Sequence, residues 1–296
     1  MAVQTFNPET VLVSESKEGV LYDDFNTAVM SGVAENSLVM QLGEYVDMDD
    51  KEKTIQVMTD GVSAYWVNET EKIQTDKPEL VPVTIRAHKL GIILLSSREA
   101  LNYTWSRYFE DMKPEIVKAF NRKIDEAGIL NVNNPFANSV DEAATASGNV
   151  TVGDINYDNI LALQDTLYDD DVEPNAIISK VTNNTALRGA RDSFGNGVFD
   201  RANGTVDGIT TVNLKSDNMP KGTIYAGDFS QLKYGVPFNI SYKISEEGQI
   251  STVTNEDGSP INLFEQEMIA LRATMEIAVA VVKDGAFAKL APTPEP

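Results

Sequence analysis

Between Met268 and Val282 the sequence MIALRATMEIAVAVV alternates with period two for longer than almost any ordinary strand. Ile269, Leu271, Ala273, Met275, Ile277, Val279 and Val281 fall on one face, and Arg272, Thr274 and Glu276 on the other. A helix would also gather Met268, Leu271 and Met275, so the first half alone is ambiguous. The β-branched run Ile277–Val282, closed by Asp284-Gly285, settles it as a strand. At roughly 3.3 Å per residue it would span about 45 Å, against a mean strand of about 5–6 residues. A strand that long needs a long partner. The chain is therefore expected to build an elongated platform rather than a compact enzyme.

Composition narrows the function. The 296 residues suffice for one large or two ordinary domains, and 42% hydrophobic with 23% charged residues is the balance of a folded soluble protein. The net charge is −21, which is unfavourable for tight or sequence-specific binding of nucleic acid through its phosphates and is read as a repulsive, soluble surface. There are no cysteines, so disulfides, thiolate metal sites and cysteine nucleophiles are excluded. The single histidine, His88, argues against a Ser-His-Asp triad and most histidine metal sites. MAVQTFNPET has no signal-peptide pattern, and no run approaches the roughly 18 apolar residues of a membrane span. The N-x-[ST] sequons at Asn68, Asn102, Asn149, Asn183, Asn203 and Asn239 are then Asn-rich composition, in a chain of cytoplasmic origin.

Residues 1 to about 35 are polar and interrupted, with scattered apolar residues such as Phe6, Val11, Leu12 and Phe25. They read as an extended arm with one short helix near Asp23–Met30, unable to bury its own apolar side chains. Residues 36–95 are β-rich. Thr54–Met58 and Val62–Val67 flank Thr59-Asp60-Gly61, a hairpin turn signal, and Leu80–Leu95 follows the polar stretch Asn68–Lys77, so a projecting hairpin is expected. At Ser96-Ser97-Arg98-Glu99, a capping box, the period changes to helical. Leu101, Trp105, Phe109 and Met112, then Ile116, Val117, Phe120, Ile124 and Ala127, predict about 30 residues of helix, which Pro114 either kinks or divides, ending at Gly128. Asn131–Val150 reads as a loop. An α/β segment follows, with helix Asn156–Tyr168, strand Ala176–Ser179 and helix Asn183–Arg191, then strands Thr210–Leu214, Gly222–Ala226 and Phe238–Ile244. Ala291–Pro296 reads as a disordered tail.

These landmarks occur in a familiar order: Trp66-Val67-Asn68-Glu69, Pro78-Glu79-Leu80, the run His88–Leu95 into Ser-x-Glu-Ala-Leu, Ala127-Gly128-Ile129-Leu130, and Leu187-Arg188-Gly189-Ala190-Arg191. Met219-Pro220-Lys221-Gly222, Gly227-Asp228-Phe229, Leu263-Phe264-Glu265, Ala270-Leu271-Arg272-Ala273 and Asp284-Gly285-Ala286-Phe287 complete the series. Together they resemble the HK97-like major capsid proteins of tailed bacteriophages over nearly the whole chain. Each motif alone is weak; the joint order is specific. The resemblance implies an α+β, HK97-like capsid fold. Its parts would be an N-terminal arm (1–35), an extended β-hairpin E-loop (36–82), a peripheral domain made of the spine helix (83–130) and the long strands (246–290), and an axial domain (131–245). It implies hexamers and pentamers closing into an icosahedral head around double-stranded DNA. The partners it implies are further copies, a separate scaffolding protein (or none, since the arm begins almost at Met1) and a portal. The resemblance places the protein in the virion, with assembly in the bacterial host cytoplasm and no membrane partner. Trp66, Glu69, Lys72 and Phe6 are candidate subunit contacts. Founding members crosslink a lysine to an asparagine beside a glutamate. Aligned here, those last two positions hold Glu267 and Thr274, so Lys72 reads as an ordinary surface lysine and no isopeptide chemistry is expected.

No catalytic, cofactor-binding or metal-ligating constellation emerges. Asp169-Asp170-Asp171 reads as a solvated loop, and Asn255-Glu256-Asp257-Gly258 as a turn, because position twelve of a calcium loop would be Phe264. Gly189–Gly197 lacks phosphate-loop spacing and reads as a flexible loop. His88, alone among apolar residues, is expected on a strand face or an interface; Trp66 and Trp105 read as packing residues, with Trp66, on a projecting hairpin, equally a subunit-contact anchor. The rival readings are an encapsulin-like compartment, an α/β enzyme built on residues 150–245, and a surface adhesin, the last opposed by the absent signal peptide.

Overall fold

The computed structural model describes residues 37–58, 64–67, 69, 72–73, 75, 80–254 and 260–293. The expected arm at 1–35 with its helix, the turns at Thr59-Asp60-Gly61 and Asn255–Gly258, and 294–296 of the expected tail lie outside them, as do the side chains of 98–111, Trp105 included. The chain begins with α1 (Leu38–Leu42), β1 (Glu44–Tyr45), β2 (Glu52–Met58), β3 (Leu80–Ser97) and α2 (Arg98–Gly128). It continues through α3 (Val140–Ala146), β4 (Val150–Val152), α4 (Tyr157–Tyr168), β5 (Ala176–Lys180), α5 (Asn184–Gly189), β6 (Phe199–Asp200), β7 (Thr205–Val206), β8 (Ile209–Leu214) and β9 (Ile224–Gly227). It ends with β10 (Leu232–Ser245), β11 (Gln249–Thr254), β12 (Pro260–Asn262), β13 (Met268–Val281) and β14 (Phe287–Ala291).

The alternating segment is β13, the central strand of a five-stranded sheet ordered β1-β10-β13-β3-β2. Its partners are long because they must be: β3 runs antiparallel to it from Met268↔Ser97 to Ala278↔Ala87, and β10 lines its other side. Ile269, Leu271, Ala273, Met275, Ile277, Val279 and Val281 are all buried, as the period-two pattern requires. From Leu271 onward this face meets Leu90, Ile92 and Leu94 of β3 and the α2 stripe Ile116, Phe120 and Ile124 in one core. The helix runs unbroken through Pro114. It opens one residue later than the capping box implied, because Ser96 is still in the ladder opposite Ile269.

Strand β3 has two partners in succession. Residues 80–86 pair with β2, from Met58↔Leu80 to Glu52↔Arg86, and from Ala87 onward the strand pairs with β13. Its first part is thus a two-stranded ribbon projecting beyond the sheet. Of the segment expected to pair with Thr54–Met58, Val62–Val67, the described residues Ala64–Val67 have no strand structure. Cross-strand packing of Ile55 on Val83 and Val57 on Val81 outweighs the local turn signal.

A mixed seven-stranded sheet, β4-β14-β9-β5-β8-β7-β6, forms the second body, with α3 and α4 packed on β14. Two groupings made from sequence change here. The strand expected at Phe238–Ile244 within the segment ending at 245 is part of β10, in the long sheet. Phe287–Leu290, grouped with the long strands, and Ala291, read as the first residue of the tail, form β14 in the seven-stranded sheet, between β9 and β4. Bulges between Gly235 and Ser241, around Pro237, break the alternation of β10 and hide its length from a period-two reading. Asn131–Val150 is not all loop: it contains α3, capped by Ser139, whose hydroxyl accepts from the Glu142 amide at 3.2 Å.

Candidate assembly surfaces

The ribbon ends in a limb that the described residues do not cover. Tyr65, Trp66 and Val67 are exposed, Trp66 completely, and Ile73 is 80% exposed. Leu80 and Val81, at the start of β3, are half-exposed as well. Glu69 and Lys72 lie on the same limb, also exposed, so three of the four candidate contacts are brought together there. Phe6 lies outside the described residues. The ribbon is held by Thr54 and Thr84, whose hydroxyls lie 3.0 Å apart, and by the Arg86–Glu52 pair at 2.7 Å. An isolated two-stranded hairpin is marginal in water, and a fully exposed tryptophan gains nothing from folding.

Two adjacent carboxylates near the end of α2 fasten other segments of the body to the helix. Asp125 accepts from the Ser37 hydroxyl at 2.8 Å and the Val39 amide at 3.2 Å, tying α1 to the long helix. Burial pushes its carboxyl up to about 6, against the pull of those donors. Glu126 accepts from Arg122 (2.8 Å), Lys123 (3.0 Å), Ser216 (2.8 Å) and Asn218 (2.9 Å), joining α2 to the loop after β8. Burial alone would raise it, but the hydrogen bonds from Arg122, Lys123 and Ser216 hold it down at about 2. Neither acid was singled out from sequence. An Asp-Glu pair on a helix normally reads as solvent-facing, and only the tertiary donors reveal otherwise.

The remaining sequence candidates resolve individually. His88 is half-buried on the helix-facing side of β3, its ring edge-on to Phe136 at 5.8 Å. Asp169, Asp170 and Asp171 are exposed in the turn after α4, and among the described residues no group of acids and histidine is placed to hold a metal ion. Gly189–Gly197, expected to be flexible, is a hydrogen-bonded turn: Asp192 accepts from the amides of Phe194 (2.9 Å) and Asn196 (2.7 Å). Thr274, at the position where founding family members carry a glutamate, shares a hydrogen bond with Ser241 at 2.8 Å. An open cleft of about 240 Å³ beside β11 and β12 is lined by Lys243, Ser245, Glu247, Arg272, Ile250 and Leu263, and the Ser245 hydroxyl donates to the Glu247 backbone carbonyl at 2.6 Å. No helix among the described residues is long and apolar enough to cross a membrane.

A long helix laid on a long-stranded sheet, a projecting ribbon and a second α/β body define an HK97-like shell subunit. The chain belongs to the phage capsid family, which residues 19–291 match. It is 48% identical over 291 residues to the major capsid protein of Staphylococcus phage 80alpha, covering 98% of this chain and 90% of that one. Among solved structures, a chain from Mycobacterium phage Adephagia shares the fold with a TM-score of 0.72 at 20% identity, over 88% of this chain and 91% of that one. The capsid of an empty GTA particle gives 0.66 at 14% identity, over 88% and 90%. The role of this protein is structural: it forms the shell of a phage particle.

Proposed function

We infer that this chain is the major capsid protein of a tailed phage, assembling through hexamers and pentamers into an icosahedral head around double-stranded DNA. The observation that carries the reading is the contrast between a body with a complete core and a limb on which Trp66 and Ile73 are left almost wholly exposed, and Leu80 and Val81 half-exposed, by the described residues. Such a limb is stabilised by a neighbouring copy, and repeated overlaps around a closed shell multiply weak contacts into a strong one. Trp66 is the anchor of this contact, with Glu69 and Lys72 at its rim and Phe6 contributed by the arm. In domain terms, residues 1–35 are the arm and 36–82 the E-loop. The spine helix and the long sheet form the peripheral domain, and the seven-stranded sheet forms the axial domain.

The partners are a separate scaffolding protein during assembly in the host cytoplasm and a portal at one vertex. The DNA is enclosed rather than read, since a chain of net charge −21 offers phosphates little attraction. With Thr274 in place of a glutamate, no isopeptide crosslink forms, and the assembled protein runs as a monomer on a denaturing gel. Negative-stain microscopy of the purified protein, with and without its scaffold, tests the reading. Closed shells of uniform curvature are expected, and a dispersed monomer under both conditions would overturn it.

A further inference from the structure

The turn between α5 and β6 builds a rigid aromatic knob. Phe194 is 89% exposed, yet its backbone is fixed: its amide donates to Asp192, and the Gly195 amide donates to the Asp192 carbonyl at 3.0 Å. Asn196 closes the turn through its own amide and its side chain, both donating to the Asp192 carboxylate. An exposed ring on an ordered turn loses little conformational freedom when it is buried, which is the property of an interface anchor. Arg188, Arg191 and Arg201 lie in the same stretch as the knob and pair with no carboxylate among the described residues. The stretch also carries Asp192 and Asp200, whose carboxylates accept from the amides of their own turns, so with three arginines against two aspartates its net charge is one positive. Arg188 lies over the Phe199 ring at 5.9 Å, and Arg191 donates to backbone carbonyls.

The opposite edge of the same sheet has the complementary character. The order β4-β14-β9-β5-β8-β7-β6 puts six strand spacings, about 29 Å at 4.8 Å each, between the knob's edge and β4. There Val152 is 58% exposed, and Leu161, in the part of α4 that follows β4, is 38% exposed. Asp154 and Asp158 stand exposed beside them, and the chain has no lysine or arginine between Lys123 and Lys180. Two unlike but complementary patches on opposite edges of one body are what a head-to-tail contact needs. Such a contact closes into a ring when its rotation divides a full turn.

We propose that the Arg-flanked Phe194 of one copy seats on the Val152–Leu161 patch of the next, forming a head-to-tail contact between seven-stranded sheets. This rests on the shell reading above and supplies it with a named contact. The absence of native cysteine gives a clean test. Phe194→Cys and Val152→Cys are prepared separately, mixed, and combined in one full-length chain, then oxidised with copper–phenanthroline under assembly conditions. A disulfide requires Cα atoms within about 7 Å, so it reports contact and not mere proximity.

Neither single variant should crosslink, the mixture should give dimers, and the doubly substituted chain should give a ladder of higher oligomers. Particles that form without a 152–194 bond would refute the contact and leave the shell intact. Head-to-tail dimers in protein that never builds particles would support the contact and refute the shell. Phe194→Cys crosslinking to itself would mean a two-fold contact and overturn the proposal. As a second readout, Phe194→Ser should raise the concentration needed for assembly about tenfold or more without changing the melting temperature of the unassembled chain. Unchanged assembly of that variant would also overturn it.

Discussion

The projecting ribbon and the seven-stranded sheet are built from the same kinds of residue and end in opposite conditions. In the sheet, Ile177, Ile178, Tyr225, Phe229 and Phe287 are buried, and Asn183 alone joins three segments by bonding Ser179, Thr223 and Gly222. In the ribbon and its limb, Leu80, Val81, Trp66 and Ile73 face solvent among the described residues. One region packs on itself; the other, in the proposed reading, is completed by a neighbour. Stability and assembly can therefore be perturbed separately, and the sharpest experiments are those that move one without the other.

The largest effect should come from the self-sufficient region. Phe287→Ala removes a buried ring that meets Phe229 edge-on at 5.2 Å and should cost the unassembled chain about 3–5 kcal/mol in denaturant titration. A cost below about 1 kcal/mol would break the contrast. Next, Glu126→Ala leaves the buried Ser216 hydroxyl without its acceptor and should cost about 1–3 kcal/mol. Because its pKa is depressed, the stability Glu126 contributes is present above pH 4.5 and lost as pH falls toward 2, and the variant should lack that acid-limb loss. Asp125 has the opposite sign. Its raised pKa means that the folded state holds the proton more tightly, so its contribution falls as pH rises from about 4 to about 6. The melting temperature of Asp125→Asn, relative to the native chain, should therefore climb across that interval; a flat difference would show that the buried carboxyl is not what titrates. The smallest effect on the isolated chain belongs to Trp66→Ala, within about 0.5 kcal/mol, while particle yield should fall sharply. A large loss of monomer stability would mean the limb is packed against its own body.

Where a pattern was long and unbroken, the sequence was legible. The alternation of β13 and the stripe Ile116, Phe120 and Ile124 of α2 each impose a period that no other element satisfies. Legibility failed where tertiary pairing decides. Asp60-Gly61 is a good local turn signal, yet β2 takes a partner more than twenty residues away because Ile55 and Val57 find Val83 and Val81 there. The length of β10 was hidden by its bulges, and the home of β14 by its place in the chain, directly after the long strand whose sheet it does not join. Of the proposed assembly surfaces, the sequence offered Trp66 as a candidate, with packing as its other reading. The knob at Phe194 was not, because nothing in GARDSFGNG says that Asp192 will make a glycine-rich stretch rigid.

The double pairing of β3 has a mechanical consequence. The limb and the body are two ends of one beam, so a load applied by a neighbour at Leu80 is delivered straight into the ladder with β13. That ladder cannot yield by slipping: a shift of one residue would turn Leu90, Ile92 and Leu94 out of the core. If neighbours load the limb as proposed, the subunit would tilt as a lever rather than stretch, and the angle between neighbours would be the coordinate through which the container takes up strain.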